Sequence, residues 1–458
     1  MNEMRKTILF AGVAVGLALI AWVTAPGKVT TDAFFDIGES FFPEFTDPTA
    51  ATSMEVIEFD EETGEPIPFK VVFQDGKWTI PSHHNYPADG EERLAKTAAG
   101  FIGLKKEDFR TDNPADYEAC GVIDPLDESH PSLKGRGKRV TLRGANDQVL
   151  ADLIIGKELP DREKYHFVRI PDQKRVYVAK IDFEISTKFS DWIEADLLKV
   201  GQSDIQKVVL KDYSVDERSG LVHQRDVVIL TREDNTWKAN NMPADKEVDR
   251  NKMNQLLRAL DDLKIVGVRP KPAGISASLK KIEGAFEATL ADLQSLQSKG
   301  FYFSRDGRLL SNEGELQALT KEGIEYTLRF GEVAYGRGFE VSAGSDSVDV
   351  NAPAENRYLF ITAAFDSTVL LKEEPPGPKN TDFLNKADSL WTDEDRDNKA
   401  AYDKHEAWRK RYEEARKKAR ELNQRFADWY YVIPADAYDK LHLTRKDLLK
   451  DKPKKVKS

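Results

Sequence analysis

Serine, histidine and aspartate come close together at Ser82-His83-His84, with Asp89 five residues on. Serine beside histidine and a carboxylate is the material of a hydrolase triad, and paired histidines are that of a metal site. Adjacent side chains on a strand point to opposite faces, so His83 and His84 cannot grip one ion there. The expected reading is a solvated loop. His130, His166, His223 and His442 stand without partners at metal-ligand spacing. Cys120 is the single cysteine; it allows no internal disulfide and no cysteine-based metal site, and it reads as a buried structural thiol. Gly135-Arg136-Gly137-Lys138 lacks the phosphate-loop pattern, and there is no HExxH, GxSxG or EF-hand loop. Trp78, Trp192 and Trp237 read as core anchors rather than a sugar-stacking platform. With 79 acidic residues, paired carboxylates arise by chance and single out no general acid. No catalytic, cofactor-binding or metal-ligating residue is assigned. The expectation is a protein that is not an enzyme and carries no cofactor.

The elements that would position any site come next. The chain has 458 residues with 68 basic and 79 acidic side chains, a formal charge of −11. Hydrophobic residues make up 40% and charged residues 32%. That balance suits globular domains, and the length suits two to four of them. The acidic excess argues against a nucleic-acid binder, which needs a basic face.

Residues 8–24 run 17 positions without a charge, behind Arg5 and Lys6. At 1.5 Å per residue that is about 26 Å, enough for a bilayer core. The flanking charges predict a cytoplasmic N-terminus and an exported remainder. Two readings stand. A retained signal anchor over 1–26 fits the length and Trp22. Cleavage after Val23-Thr24-Ala25 is disfavoured by Pro26. The retained anchor is the expectation, placing the bulk of the chain on the periplasmic side of a bacterial inner membrane.

The chain also repeats itself. Residues 69–104 and 226–263 both run strand, turn, Trp, short extended stretch, Pro-Ala-Asp, helix. Asp89 and Asp245 are placed to cap those helices. Residues 139–143 parallel 326–330, 165–170 parallel 357–362, and 175–178 parallel 429–433. The expected architecture is α+β: two tandem repeats, 52–200 and 203–450, each a mostly antiparallel sheet with a packed helix. The second repeat carries insertions near 276–315, with a helix expected at 276–298, and near 372–428. A basic tail at 451–458 closes the chain.

The later insertion holds the most informative surface. From Asp393 to Arg425 lie nine acidic and eleven basic residues, threaded by Ala401, His405, Trp408, Tyr412, Ala415, Ala419, Leu422, Phe426 and Trp429 at alternating steps of four and three. That is a heptad seam on a rod of roughly 50 Å. The seam packs on its own chain, or part of it projects and pairs with another. On the second reading Trp408, Tyr412, Ala415, Ala419, Leu422 and Phe426 are the partner-contact candidates.

One resemblance gathers these features. The order Gly76-Lys77-Trp78-Thr79-Ile80, the Pro-Ala-Asp helix, Cys120-Gly121-Val122-Ile123-Asp124-Pro125, Arg139-Val140-Thr141-Leu142, Leu153-Ile154-Ile155-Gly156-Lys157, Val176-Tyr177-Val178 and Trp192 with Asp196-Leu197-Leu198 resembles the bacterial domain-of-unknown-function 4340 (DUF4340) family, twice over. The family's motifs are structural and transfer no catalytic residue. The resemblance implies an extracytoplasmic accessory associated with gliding-type ABC transporters, not the ATPase. The expected function is a membrane-anchored accessory or scaffold that docks on an envelope complex. The alternative is a ligand-binding module holding glycan or peptide in a cleft between the repeats. No nucleic-acid partner is expected.

Overall fold

The computed structural model describes residues 13–17, 36–216, 221–234, 236–281, 289–304, 307–335, 342 and 355–452. Alternating apolar residues make Ser53–Asp60 (β1), Glu65–Gln74 (β2) and Lys77–Ile80 (β3), β2 and β3 joined by a tight turn at Asp75-Gly76, both at positive φ, and Tyr86–Pro87 (β4) follows. Helix Glu91–Ile102 (α1) follows, burying Leu94, Thr97, Ala98 and Phe101 on one face. Then come Asp108–Thr111 (β5), Lys138–Arg143 (β6), Val149–Leu159 (β7), Arg162–Arg169 (β8) and Val176–Lys180 (β9). These strands hydrogen-bond in the order β4-β3-β2-β1-β6-β7-β8-β9-β5.

The second half opens with Ile205–Val215 (β10), Val222–Glu233 (β11), Thr236–Ala239 (β12) and Lys246–Val248 (β13), then helix Arg250–Asp261 (α2). Strand Gly267–Pro270 (β14) leads to helices Ala273–Lys280 (α3) and Leu290–Gln297 (α4). Phe301–Phe303 (β15) and Leu309–Ser311 (β16) form a small hairpin before Glu315–Thr320 (β17), Ile324–Tyr335 (β18) and Glu355–Phe365 (β19). Helix Asp393–Ala427 (α5) runs directly into Trp429–Ile433 (β20), followed by Ala435–Leu441 (α6), Arg445–Leu448 (α7) and Leu449–Asp451 (β21). The second large sheet runs β12-β11-β10-β17-β18-β19-β20-β14.

The two orders correspond strand for strand from β3 to β5 and from β12 to β14. The sequence pairing of 139–143 with 326–330 is one strand out, because β6 stands where β17 does, not β18. One helix cap also differs from expectation. Asp249, not Asp245, caps α2, its carboxylate accepting from the Asn251 and Lys252 amides. The backbone repeats at this point: the Asp89 N–H donates to the Trp192 carbonyl and the Asp249 N–H to the Leu448 carbonyl, each at 2.8 Å.

Chain contacts divide the protein into one compact unit of residues 1–68 and 94–185 and another of 69–93 and 186–458. The first has its core in Met54, Val56, Val140, Leu142, Leu153 and Phe101. The second is larger; one cluster sets Ile275 and Leu296 of the inserted helices against Phe301, Phe360, Tyr430 and Val432. The helix expected over 276–298 is two helices, α3 and α4, and 282–288 lies outside the described residues.

One part of the expected fold is corrected. The architecture is mixed α/β with antiparallel sheets, but among the described residues no helix is long and apolar enough to cross a membrane. Of the apolar run 8–24, only 13–17 lies within the described residues, where it is helical. The remainder of 1–26 and the tail 453–458 lie outside the described residues.

Candidate functional site

The Ser-His pair folds differently from a solvated loop. His84 takes the left-handed conformation at φ 58° and is exposed, and this turn sends His83 inward until it is only 2% exposed. The His83 ring stacks on Phe189 at 4.8 Å and meets the edge of Phe69 at 5.7 Å. Its Nδ1 lies 3.0 Å from Ser82 Oγ and its Nε2 2.9 Å from Ser342 Oγ. Ser82 Oγ is itself fixed by the Lys70 N–H at 3.1 Å. A serine on one ring nitrogen looks like a nucleophile with its base. The base is oriented by a hydroxyl, however, and Asp89 is exposed with its backbone tied to Trp192. Burial, with His84 and Arg269 nearby, pushes His83 down to about 4, which weakens it as a proton acceptor.

That shift has a stability consequence. The unfolded chain takes up a proton on His83 near pH 6.5, and the folded chain refuses it until about pH 4. Stability therefore falls as pH drops through this window, by about 3 kcal/mol over its full width. Urea midpoints of the wild type and His83→Gln at neutral and mildly acid pH are expected to diverge, the variant losing part of the acid sensitivity.

Cys120 ends a short helix, packed with Val122, Ile154 and Val176, and burial raises its thiol pKa. The tryptophans divide. Trp192 is fully buried against Phe69, its Nε1 donating to the Ser186 carbonyl at 3.0 Å. Trp78 is half-buried and covered by Phe73, 5.2 Å away between ring centres. Trp237 is half-buried at the wall of a cavity and is not a core anchor. Among the described residues no group of three or more His, Cys, Asp or Glu side chains is arranged to hold a metal ion.

The heptad seam of α5 lies along its own chain. Trp408 Nε1 donates to the Leu370 carbonyl at 2.9 Å, and Tyr412 meets Phe365 edge-on at 5.0 Å. Ala415, Ala419, Leu422 and Phe426 are buried, and Asn423 bridges β19 and α3 by accepting from the Ala363 N–H and donating to the Leu279 carbonyl. All six partner-contact candidates thus sit on the covered or partly covered face. The opposite face carries helical ion pairs such as Lys410–Glu414 and Lys417–Glu421.

The insertion ahead of α5 has a different surface. Phe383 is buried between Trp391 and Tyr402, and Trp391 Nε1 donates to the Phe383 carbonyl. Thr392 and Asp395 close a capping box, and Lys386 pairs with Asp395 at 2.8 Å. On this braced segment Leu384 and Leu390 remain 57% and 70% exposed, and Leu371, at the end of the helix just ahead of it, 47%.

Three hollows stand out in the larger unit. One of about 690 Å³ lies between the β11–β12 hairpin and α2. Another of about 520 Å³ is bounded by Tyr86 and Asp89 on one side and Arg425 and Trp429 on the other. A third, about 230 Å³, sits under α5 beside Tyr326 and Ala415.

A family model described as Domain of unknown function (DUF4340) matches residues 78–281, from Trp78 on β3 to the residue after α3. The match covers less than half of the chain, and the family it describes is one of unknown function. No curated protein and no solved structure matches the chain significantly.

Proposed function

We propose that the protein is a non-enzymatic accessory of the bacterial envelope that works outside the cytoplasm by docking on a multi-subunit complex of the ABC-transporter class. One observation carries the reading: Leu384 and Leu390 stand exposed on an insertion whose backbone is braced by Phe383, Trp391 and the Thr392–Asp395 box, with Leu371 exposed just ahead of it. Exposed leucines on a rigid platform suit a protein partner, since immobilising them costs little entropy on binding. The seam of α5 is occupied by its own chain, so the docking surface is the insertion preceding it. The resemblance to gliding-type transporter accessories supplies the class of partner.

The test compares the full chain with Leu384→Ser/Leu390→Ser, both isolated gently from solubilised envelopes. Both sites are exposed, so the double variant should keep its unfolding midpoint within about 0.5 kcal/mol per site. Transporter permease subunits are expected with the wild type and absent with the variant. A chain that isolates alone, or a variant that keeps the permease, overturns the reading.

A further inference from the structure

The two Trp-bearing hairpins differ in the residue paired with the Trp. Across β2–β3 the residue opposite Trp78 is Phe73, whose ring covers the indole. Across β11–β12 the residue opposite Trp237 is Arg232. An aromatic lid in one hairpin is a hydrogen-bonding cation in the other. Trp78 is also crowded from the helix side, because a Cβ added to Gly90 would come within 3.4 Å of its ring. Trp237 instead borders the hollow of about 690 Å³, well inside the size range of small-ligand sites.

The walls of this hollow are amphipathic. Trp237, Met242 and the buried Val248, Met253 and Leu257 supply its apolar side. Its polar side has Arg232 and Arg250 against Asp234 and Glu247, a formal sum of zero. The side chains of Arg250 and Asn254 on α2 make no hydrogen bond or ion pair among the described residues, so their polar groups face the hollow or solvent. Glu247 is held at the margin by Lys450, 3.8 Å away.

We propose that this hollow binds a neutral oligosaccharide. A pyranose ring offers an apolar C–H face, which an indole receives, and an edge of hydroxyls that both donate and accept. A charge-balanced rim favours an uncharged ligand over an acidic or basic one, which would leave two of the four charges opposed to it. Trp237 is the stacking surface, and Arg232, Arg250 and Asn254 are the hydroxyl partners. The site lies apart from the exposed leucines of the insertion, so it stands or falls independently of the docking reading.

Calorimetry on the full chain with maltohexaose, cellohexaose and chitohexaose, against a neutral hexapeptide and hexaglutamate, tests the proposal. One of the three saccharides is expected to bind. Trp237→Ala should weaken binding at least tenfold and Asn254→Ala several-fold, while Trp78→Ala leaves it unchanged. Asn254 is exposed, so its variant keeps the test valid if Trp237→Ala fails to fold. Absence of saccharide binding at millimolar concentration overturns the proposal. So does saccharide binding that survives both variants, or binding of the peptide or hexaglutamate alone.

Discussion

Arginine introduced at both Ala415 and Ala419 should destabilise the larger unit by about 4 kcal/mol or more, a large share of a typical domain's stability. These residues are 5% and 3% exposed, and α5 lies against β19 and α3 there. Inserting a long side chain into such a contact costs about 1–3 kcal/mol in displaced neighbours. Each guanidinium must also leave water, which adds to the cost unless it finds a partner. The two positions are unequal. Ala415 borders the hollow of about 230 Å³, so an arginine there has space to extend, although Lys199, Arg411 and Lys418 share the rim with Glu322 and Glu414. Ala419 is not among the residues lining it. Ala419→Arg is therefore expected to cost more than Ala415→Arg, with the double variant worse than either. Urea unfolding of the three variants checks the order. Unchanged midpoints would mean that α5 does not rest on the sheet.

Lys271 should make the wild type gain stability with rising pH, and Lys271→Met should abolish that gain. The ammonium is buried and donates to the Phe426 carbonyl at 2.9 Å, 3.8 Å from the centre of the Phe360 ring. It caps the C-terminal end of α5, where helix carbonyls lack intrahelical donors and the dipole favours a cation. Ser276 Oγ adds a bond to the Ala427 carbonyl, and Lys280 pairs with Asp428. Burial nonetheless drives the Lys271 pKa well below its ordinary value; Asp428 opposes the shift and Arg329 adds to it. Between the folded pKa and the unfolded value near 10.4, the unfolded chain holds more protons. Stability then rises with pH, with a slope of up to about 1.4 kcal/mol per pH unit. Below that window the protonated form is buried at a cost. Lys271→Met keeps the length of the stem and should be as stable as the wild type at neutral pH, falling behind as pH approaches 10. Parallel slopes for the two proteins would remove the buried cation from the account.

Legibility in the sequence followed distance along the chain. The hairpins with their Trp residues, the apolar face of α2 and the extent of α5 rest on local periodicity, and each lies close to where the spacing put it. The seam of α5 was legible as an apolar stripe, but a stripe states only that something covers it. Its cover comes from β19 and α3, dozens of residues upstream. His83 misled because its neighbours Ser82 and His84 are polar, while its burial comes from Phe69 and Phe189. Asp245 misled because Pro-Ala-Asp recurs in the letters, whereas strand β13 intervenes before α2 and leaves Asp249 at the cap. Strand β17 was missed because the inserted helices α3 and α4 and the hairpin β15–β16 delay it, so the next strand was matched in its place. The hollow beside Trp237 is lined mostly from residues 232–257, with Gln202 and Ser203 added; that stretch is plain in the letters, but that its hairpin and helix stand apart around a space is not.

The discontinuity of the larger unit sets a schedule for synthesis. Phe69, His83 and Tyr86 belong to it, yet their packing partners Trp192, Phe189 and Trp429 come far later; Tyr86 precedes Trp429 by 343 residues. At about 5–20 residues per second, roughly 20 to 70 seconds separate the emergence of those last two rings. For that interval the hairpin β2–β3 leaves the ribosome with apolar side chains that must wait for their cover. A chaperone or export factor that binds the nascent chain would find its natural foothold there.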